Sequence, residues 1–406
     1  MVTKAPRAGS HIRGAARLAI DATTGLTDLV EAMQERIQRP PGVPPPDQQG
    51  RTDGITGLVY KSVRGVTRLV GASVDTLLAL LEPVLVSAES VVEREALLAA
   101  LNGVVGDHLV STSNSLATPM EFRREGQALA LETTALSARL PDASGKLLIM
   151  LHGLCMNDLQ WKRGETDFGK DLARDLGFTP VYLRYNSGLH VSQNGRTLAE
   201  LLEQLLGQWP HSLDQVVLLG HSMGGLLARS AVYHGRLAGH RWTEQLTGMV
   251  FLGTPHHGAP LERAGHLFER VLGATPYAAP LARLGRVRSA GITDLRYGNL
   301  LDEDWMGCDR FSASHDRRRH VPLPEHVNCY AIAGTLGKQA GELKERMLGD
   351  GLVPLESALG HHRDPARCLD FPATNQWIGN GIHHMELLHH PEVYARLRQW
   401  LSIARA

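Results

Sequence analysis

The chain has 406 residues and balances 42 lysines and arginines against 42 aspartates and glutamates, so no net field draws it to nucleic acid. Its four cysteines (Cys155, Cys308, Cys329, Cys368) are scattered and include no C-x-x-C, which predicts free thiols, with a single Cys308 to Cys329 bridge as the alternative. Arg13, Arg17, Asp21 and Asp28 interrupt the leading segment and Arg68, Asp75 and Glu82 the most apolar one. These charges read against a secretory leader and a membrane span, and set the expectation of a cytoplasmic or membrane-peripheral protein.

Residues 15–37 carry a weak helical pattern that ends at Pro40 and Pro41, before the proline run Pro44, Pro45 and Pro46. From 55 to 85 apolar residues recur three and four apart, which predicts an amphipathic helix bent near Pro83. A further helix is expected over 90–105 with Val91, Val92, Leu97, Leu98 and Leu101 turned inward. Residues 1–115 are thus read as a helical region that packs as a cap. In the alternative reading, residues 53–85, with Lys61, Arg64 and Arg68 on the polar face, dock on lipid, a granule or another subunit.

From residue 116 the pattern changes to apolar strands separated by helices. The run 146–151 has the composition of a strand covered on both faces and leads into His152-Gly153-Leu154-Cys155-Met156-Asn157. A strand over 178–185 and an amphipathic helix over 197–206 follow. Then Val216, Val217, Leu218 and Leu219 run into Gly-His-Ser-Met-Gly-Gly, with a helix expected over 226–233. That order puts Ser222 on a sharp strand-to-helix turn, its Oγ clear of the sheet, with Gly220 and Gly224 where strand and helix come too close for a Cβ.

Acyl transfer to a serine needs a base, a carboxylate to orient it, and two N–H donors for the oxyanion. The backbone amides of Met223 and Leu154 are the candidate donors. Another strand is expected over 249–252. Between 258 and 325 strand patterning fades into short helical pieces near 267–272 and 281–284, as in a cap insertion. The basic run Arg317-Arg318-Arg319-His320 reads as solvated loop surface. After a strand over 327–333 comes Gly349-Asp350-Gly351, which makes Asp350 the candidate carboxylate ahead of Glu356, Asp364 and Asp370. The histidine is expected on the loop before a last helix from Pro391. There His384 is preferred to His383, His389 and His390 because it directly precedes the first residues of that loop expected to pack. No His-Glu-x-x-His or comparable ligand spacing is present, so neither a metal nor a cofactor is expected.

The stretches LLIMLHGLCMND, LGHSMGGLLARS, FLGTPHHGAP, GDGLVPLESALG and HHMELLHHPEVY, spread from about residue 120 to 406, resemble those of the α/β-hydrolase superfamily, in particular its lipase-like and GPI-inositol-deacylase-like serine esterases. The resemblance implies an α/β fold with a mostly parallel sheet flanked by helices over 116–406, Ser222, Asp350 and His384 as a triad, and Leu154 with Met223 as an oxyanion hole. It also implies that Thr254-Pro255-His256-His257-Gly258 is a structural loop near the site and that the substrate is a small-molecule or lipid ester. Thioesterases and acyltransferases share such residues, so the bond cleaved rests on the resemblance alone. Cys155 and Met156 depart from the usual pattern. Cys155 is read as a small packed residue, the alternative being a thiol presented to the pocket.

Overall fold

The apolar runs form strands whose alternate residues feed two separate cores. A computed structural model describes residues 91–259, 289–307, 316–337 and 349–402. In chain order its sheet contains β1 (Glu121–Arg124), β2 (Gln127–Ala128), β3 (Lys146–Leu151), β4 (Thr179–Arg184), β5 (Gln215–His221), β6 (Leu246–Leu252), β7 (Asn328–Thr335) and β8 (Gln376–Asn380). The spatial order is β2-β1-β4-β3-β5-β6-β7-β8; the pairs from β4 to β8 are parallel, while β1 pairs antiparallel with both β2 and β4.

Because side chains alternate across a strand, Leu147, Ile149 and Leu151 of β3 join Val216 and Leu218 of β5 in one core. Leu148, Met150, Val217 and Leu219 join the other. Helices cover both faces, so a strand needs no polar alternation, which is why these runs were legible.

The longer helices are α1 (Val91–Ser111), α2 (Phe168–Leu176), α3 (Val191–Gly207), α4 (Met223–Ala238) and α5 (Pro391–Leu401). Among the described residues none is long and apolar enough to cross a membrane. Leu198, Leu202 and Leu205 of α3 pack with Leu227, Ala231 and Val232 of α4 on one face of the sheet. Leu172 of α2 and Val393, Leu397 and Trp400 of α5 cover the other.

The helix expected over 90–105 is longer, and its register at the start differs. Val91 and Val92 are 72 % and 55 % exposed because the first turn projects beyond the body, whereas Leu98, Leu101, Val104, Val105 and Leu109 are buried. This inner part packs with Leu154, Cys155, Met223 and Leu226, so α1 shares a core with the loops around Ser222. Glu95 ties it to the sheet through Arg123 (3.3 Å) and Arg184 (3.2 Å). A methyl group at Gly103 would lie 2.3 Å from Cys155 Sγ, which shows how closely the helix backbone rides on that loop.

The helices expected over 15–37 and 55–85 and the pieces near 267–272 and 281–284 lie outside the described residues. Within the region read as an insertion, Ala290–Asp294 is a short helix and Asp302–Asp304 a single 3-10 turn. Cys155, Cys329 and Cys368 are free thiols, and Cys308 is outside the described residues.

Candidate active site

At the end of β5 the chain turns abruptly into α4, and Ser222 makes the turn with φ 55° and ψ −123°, a conformation that costs an ordinary side chain of order 1–3 kcal/mol. The turn is possible because its flanking glycines have no side chain. A Cβ at Gly220 would sit 2.5 Å from the Gly225 amide nitrogen, and one at Gly224 2.2 Å from Leu151 O. The Ser222 amide donates to Leu252 O at 2.8 Å, which fixes the turn to the end of β6.

Leu252 and Gly253 connect Ser222 to the other two residues singled out in the sequence. A methyl group at Gly253 would fall 2.9 Å from Asp350 Oδ2 and 3.0 Å from His384 Nδ1. Those two atoms are themselves 2.7 Å apart. Asp350 is held in the tight turn after β7, between Gly349 (φ 52°) and Gly351 (φ 93°). Its Oδ1 accepts the Leu352 and Val353 amides at 3.0 and 2.8 Å, which leaves Oδ2 for the imidazole. The His384 amide in turn donates to Asp350 O at 3.0 Å. A carboxylate accepts only, so the proton of a neutral His384 sits on Nδ1 and its Nε2 carries the lone pair. Both side chains are buried, at 2 % and 4 % exposure. His383 is exposed and its amide donates to Glu386 at 2.7 Å, whereas His384 is buried against Asp350.

His221, which sequence reasoning passed over, joins the nucleophile turn to the histidine loop. Its Nε2 donates to His384 O at 3.2 Å and its ring lies 4.7 Å from the His384 ring. Burial, with His384 nearby, holds its pKa well below the usual value, so it is neutral. A polar residue closing a wholly apolar strand was the signal available for it.

The loop after β3 presents the other face of the site. A Cβ at Gly153 would lie 3.1 Å from Ser222 Cβ, so this loop runs against the nucleophile turn. The Cys155 amide donates to Ser187 Oγ (3.1 Å) and the Met156 amide to Gly153 O (3.3 Å). By contrast, the Leu154 and Met223 amides have no acceptor among the described residues. Cys155 is 1 % exposed, and burial pushes its thiol up to about 12, so it is a packed, protonated residue rather than a thiol offered to a pocket. His152 is fully buried and stacked on Tyr185 at 4.2 Å, and burial lowers its pKa to about 4.

His256 and His257 sit on the loop after β6, away from Asp350. His256 Nδ1 faces Arg229 Nη1 at 3.4 Å and His257 Nε2 donates to Gly360 O at 3.0 Å. Among the alternative carboxylates, Glu356 meets His361 at 3.0 Å, and Asp364 caps the 3-10 turn Pro365–Arg367. Among the described residues no cluster of three or more histidine, cysteine or acidic side chains has the arrangement of a metal site.

Residues 142–322 match the PGAP1-like alpha/beta domain. Similar solved structures include the mature lipase BlEst2 of Bacillus licheniformis (18 % identity, 64 % of this chain and 92 % of that one, TM-score 0.41). The esterase Pf2001 of Pyrococcus furiosus is 14 % identical over 64 % of this chain and 81 % of its own, with a TM-score of 0.38. EstA of Clostridium botulinum is 13 % identical over 65 % and 89 %, with a TM-score of 0.40. No curated protein sequence matches the chain.

Proposed function

We propose that the chain is a serine hydrolase of carboxylic esters acting through Ser222, His384 and Asp350, a reading supported by the match of residues 142–322 to the PGAP1-like alpha/beta domain. The observation that carries the reading is the buried 2.7 Å hydrogen bond from His384 Nδ1 to Asp350, formed beside a serine at positive φ. That bond leaves Nε2 as the base, since Asp350 fixes the tautomer and stabilises the imidazolium that forms.

In the proposed reaction His384 Nε2 takes the Ser222 hydroxyl proton as Oγ attacks the ester carbonyl. The unpaired Leu154 and Met223 amides stabilise the oxyanion. The proton passes to the departing alkoxide, which leaves as the alcohol. A water, deprotonated by the same imidazole, then attacks the acyl-enzyme, frees the acid and restores Ser222. In this reading the catalytic domain spans residues 116–406, and the residues around 258–325 set the acyl and alcohol preference.

Hydrolysis of p-nitrophenyl esters of increasing acyl length tests the reading. Turnover with saturation kinetics that disappears in Ser222→Ala supports it, and the chain-length profile separates esterase from lipase. Turnover of thioesters alone moves the bond from ester to thioester, and retained ester turnover in Ser222→Ala removes the nucleophile.

A further inference from the structure

A group of positive charges behind the His256-His257 loop has no part in the proposed reaction. Arg229 lies on α4, 5 % exposed, with no carboxylate within hydrogen-bonding reach among the described residues. Its Nη2 donates to Val321 O at 2.5 Å and its Nη1 meets His256 Nδ1 at 3.4 Å, while Nε is buried without a partner. A guanidinium can only donate, so His256 Nδ1 is the acceptor and the His256 proton sits on Nε2. That Nε2 is also buried without a partner. Two buried N–H donors on neighbouring side chains therefore lack acceptors, an arrangement that costs about 1–3 kcal/mol per group and more where the group is charged.

These side chains border a narrow cavity of about 20 Å³, room for roughly one water-sized species. Arg318, Arg319 and Arg367 complete its basic wall, so four guanidinium groups face a single lining carboxylate, Asp304. Asp304 already accepts the Leu300, Leu301 and Arg319 amides. Arg318 is not the solvated surface residue that its basic run suggested. It is held bidentately by Asp316 (3.0 and 2.9 Å) with its side chain 10 % exposed, and Asp316 also meets Arg367 at 2.8 Å. Arg229 is the buried guanidinium of the four without a counter-charge in contact among the described residues, whereas Arg319, also without a carboxylate partner, is exposed. Burial and the nearby Arg318 lower its pKa to about 9, so it still carries its charge at neutral pH.

We propose that this cavity binds a small inorganic anion of halide size beside Arg229 and His256. The anion supplies the missing acceptor and the missing negative charge together. A water would satisfy a donor and leave the charge uncompensated. Bound there, the ion joins α4, the loop after β6 and the stretch that carries Arg318 and Val321.

Two measurements on the full chain test the site. In crystals grown with bromide replacing chloride, an anomalous peak is expected in the cavity beside Arg229. In solution at constant ionic strength, replacing gluconate by chloride should raise the unfolding midpoint saturably, by about 2–4 °C. Arg229→Gln should abolish that rise. If this variant fails to fold, Arg319→Gln with Arg367→Gln, at the wall rather than the buried end, should raise the half-saturating chloride concentration about tenfold. A featureless cavity in the bromide map, or a midpoint that responds identically in wild type and variants, overturns the proposal. So does phosphate stabilising at a lower concentration than chloride, which would make this an oxyanion site.

Discussion

Two His-His pairs lie on loops that follow strands, and the chain uses them in opposite ways. In His383-His384 the inner ring meets the Asp350 carboxylate; in His256-His257 the inner ring meets the Arg229 guanidinium. Both inner rings are almost wholly buried. The carboxylate draws the proton to Nδ1 and leaves the lone pair on Nε2 of His384. The guanidinium occupies Nδ1 of His256 and leaves the proton on Nε2, so that ring has no lone pair to offer a substrate. The ring's partner, more than its burial or its place after a strand, decides whether it can move a proton.

Substitution at the two inner positions breaks or sharpens this contrast most strongly. His384→Gln and Asp350→Asn are expected to lower kcat by about 10⁴-fold, whereas His256→Gln should leave kcat near wild type and cost about 1–3 kcal/mol in urea unfolding. A large loss of kcat in His256→Gln with stability intact would reverse the assignment. Next in size is the donor side of the same site. Leu154→Pro removes one N–H and should lower kcat by about 10²–10³-fold with KM little changed, as steady-state kinetics would show.

Acid should act on the buried neutral rings. His152 and His257 are held at about 4 and about 3, in both cases chiefly by burial. Both values lie below the ordinary 6.5, so the unfolded chain binds protons first as pH falls. The stability they contribute is complete above about pH 6.5 and is lost as pH falls toward 4. The His152 part is about 3 kcal/mol. Urea midpoints at pH 7.5, 5.5 and 4.5 should decline in that order, less steeply in His152→Asn, and a flat profile would contradict neutral burial. The smallest effect belongs to His383→Ala. That side chain is exposed, so stability should stay within about 0.5 kcal/mol and ester turnover near wild type, a result that separates it from its neighbour.

Elements buried on both sides were readable from sequence. β3, β5, β6 and β7 have apolar, buried centres, and the turn at Ser222 is marked by the glycines its close approach requires. The edges were not readable. β1 carries Arg123, which reads as surface because its partners Glu95, Asp158 and Glu121 come from other segments or look solvated. β8 is Gln-Trp-Ile-Gly-Asn, with Ile378 39 % exposed and no alternation to mark it. Ser222 and Asp350 were picked out by their flanking glycines and His384 by its place before the last helix, and the contact between Asp350 and His384 is one that local patterning does not show. His221 was marked only as a polar residue closing an apolar run, and its bond to the His384 carbonyl, like the packing of Gly103 on Cys155, joins distant segments that local patterning does not connect. Arg318 was read as solvated for the same reason, since Asp316 is near in sequence but the His256 carbonyl that it also meets at 3.0 Å is not.

Covalent labelling with a fluorophosphonate, followed by mass spectrometry of the digested protein, tests the central claim most directly. One equivalent of label on the peptide containing Ser222, lost in Ser222→Ala and slowed by orders of magnitude in His384→Gln, is the result the geometry predicts. Unlabelled wild-type protein, or label on another residue with Ser222 untouched, would contradict it.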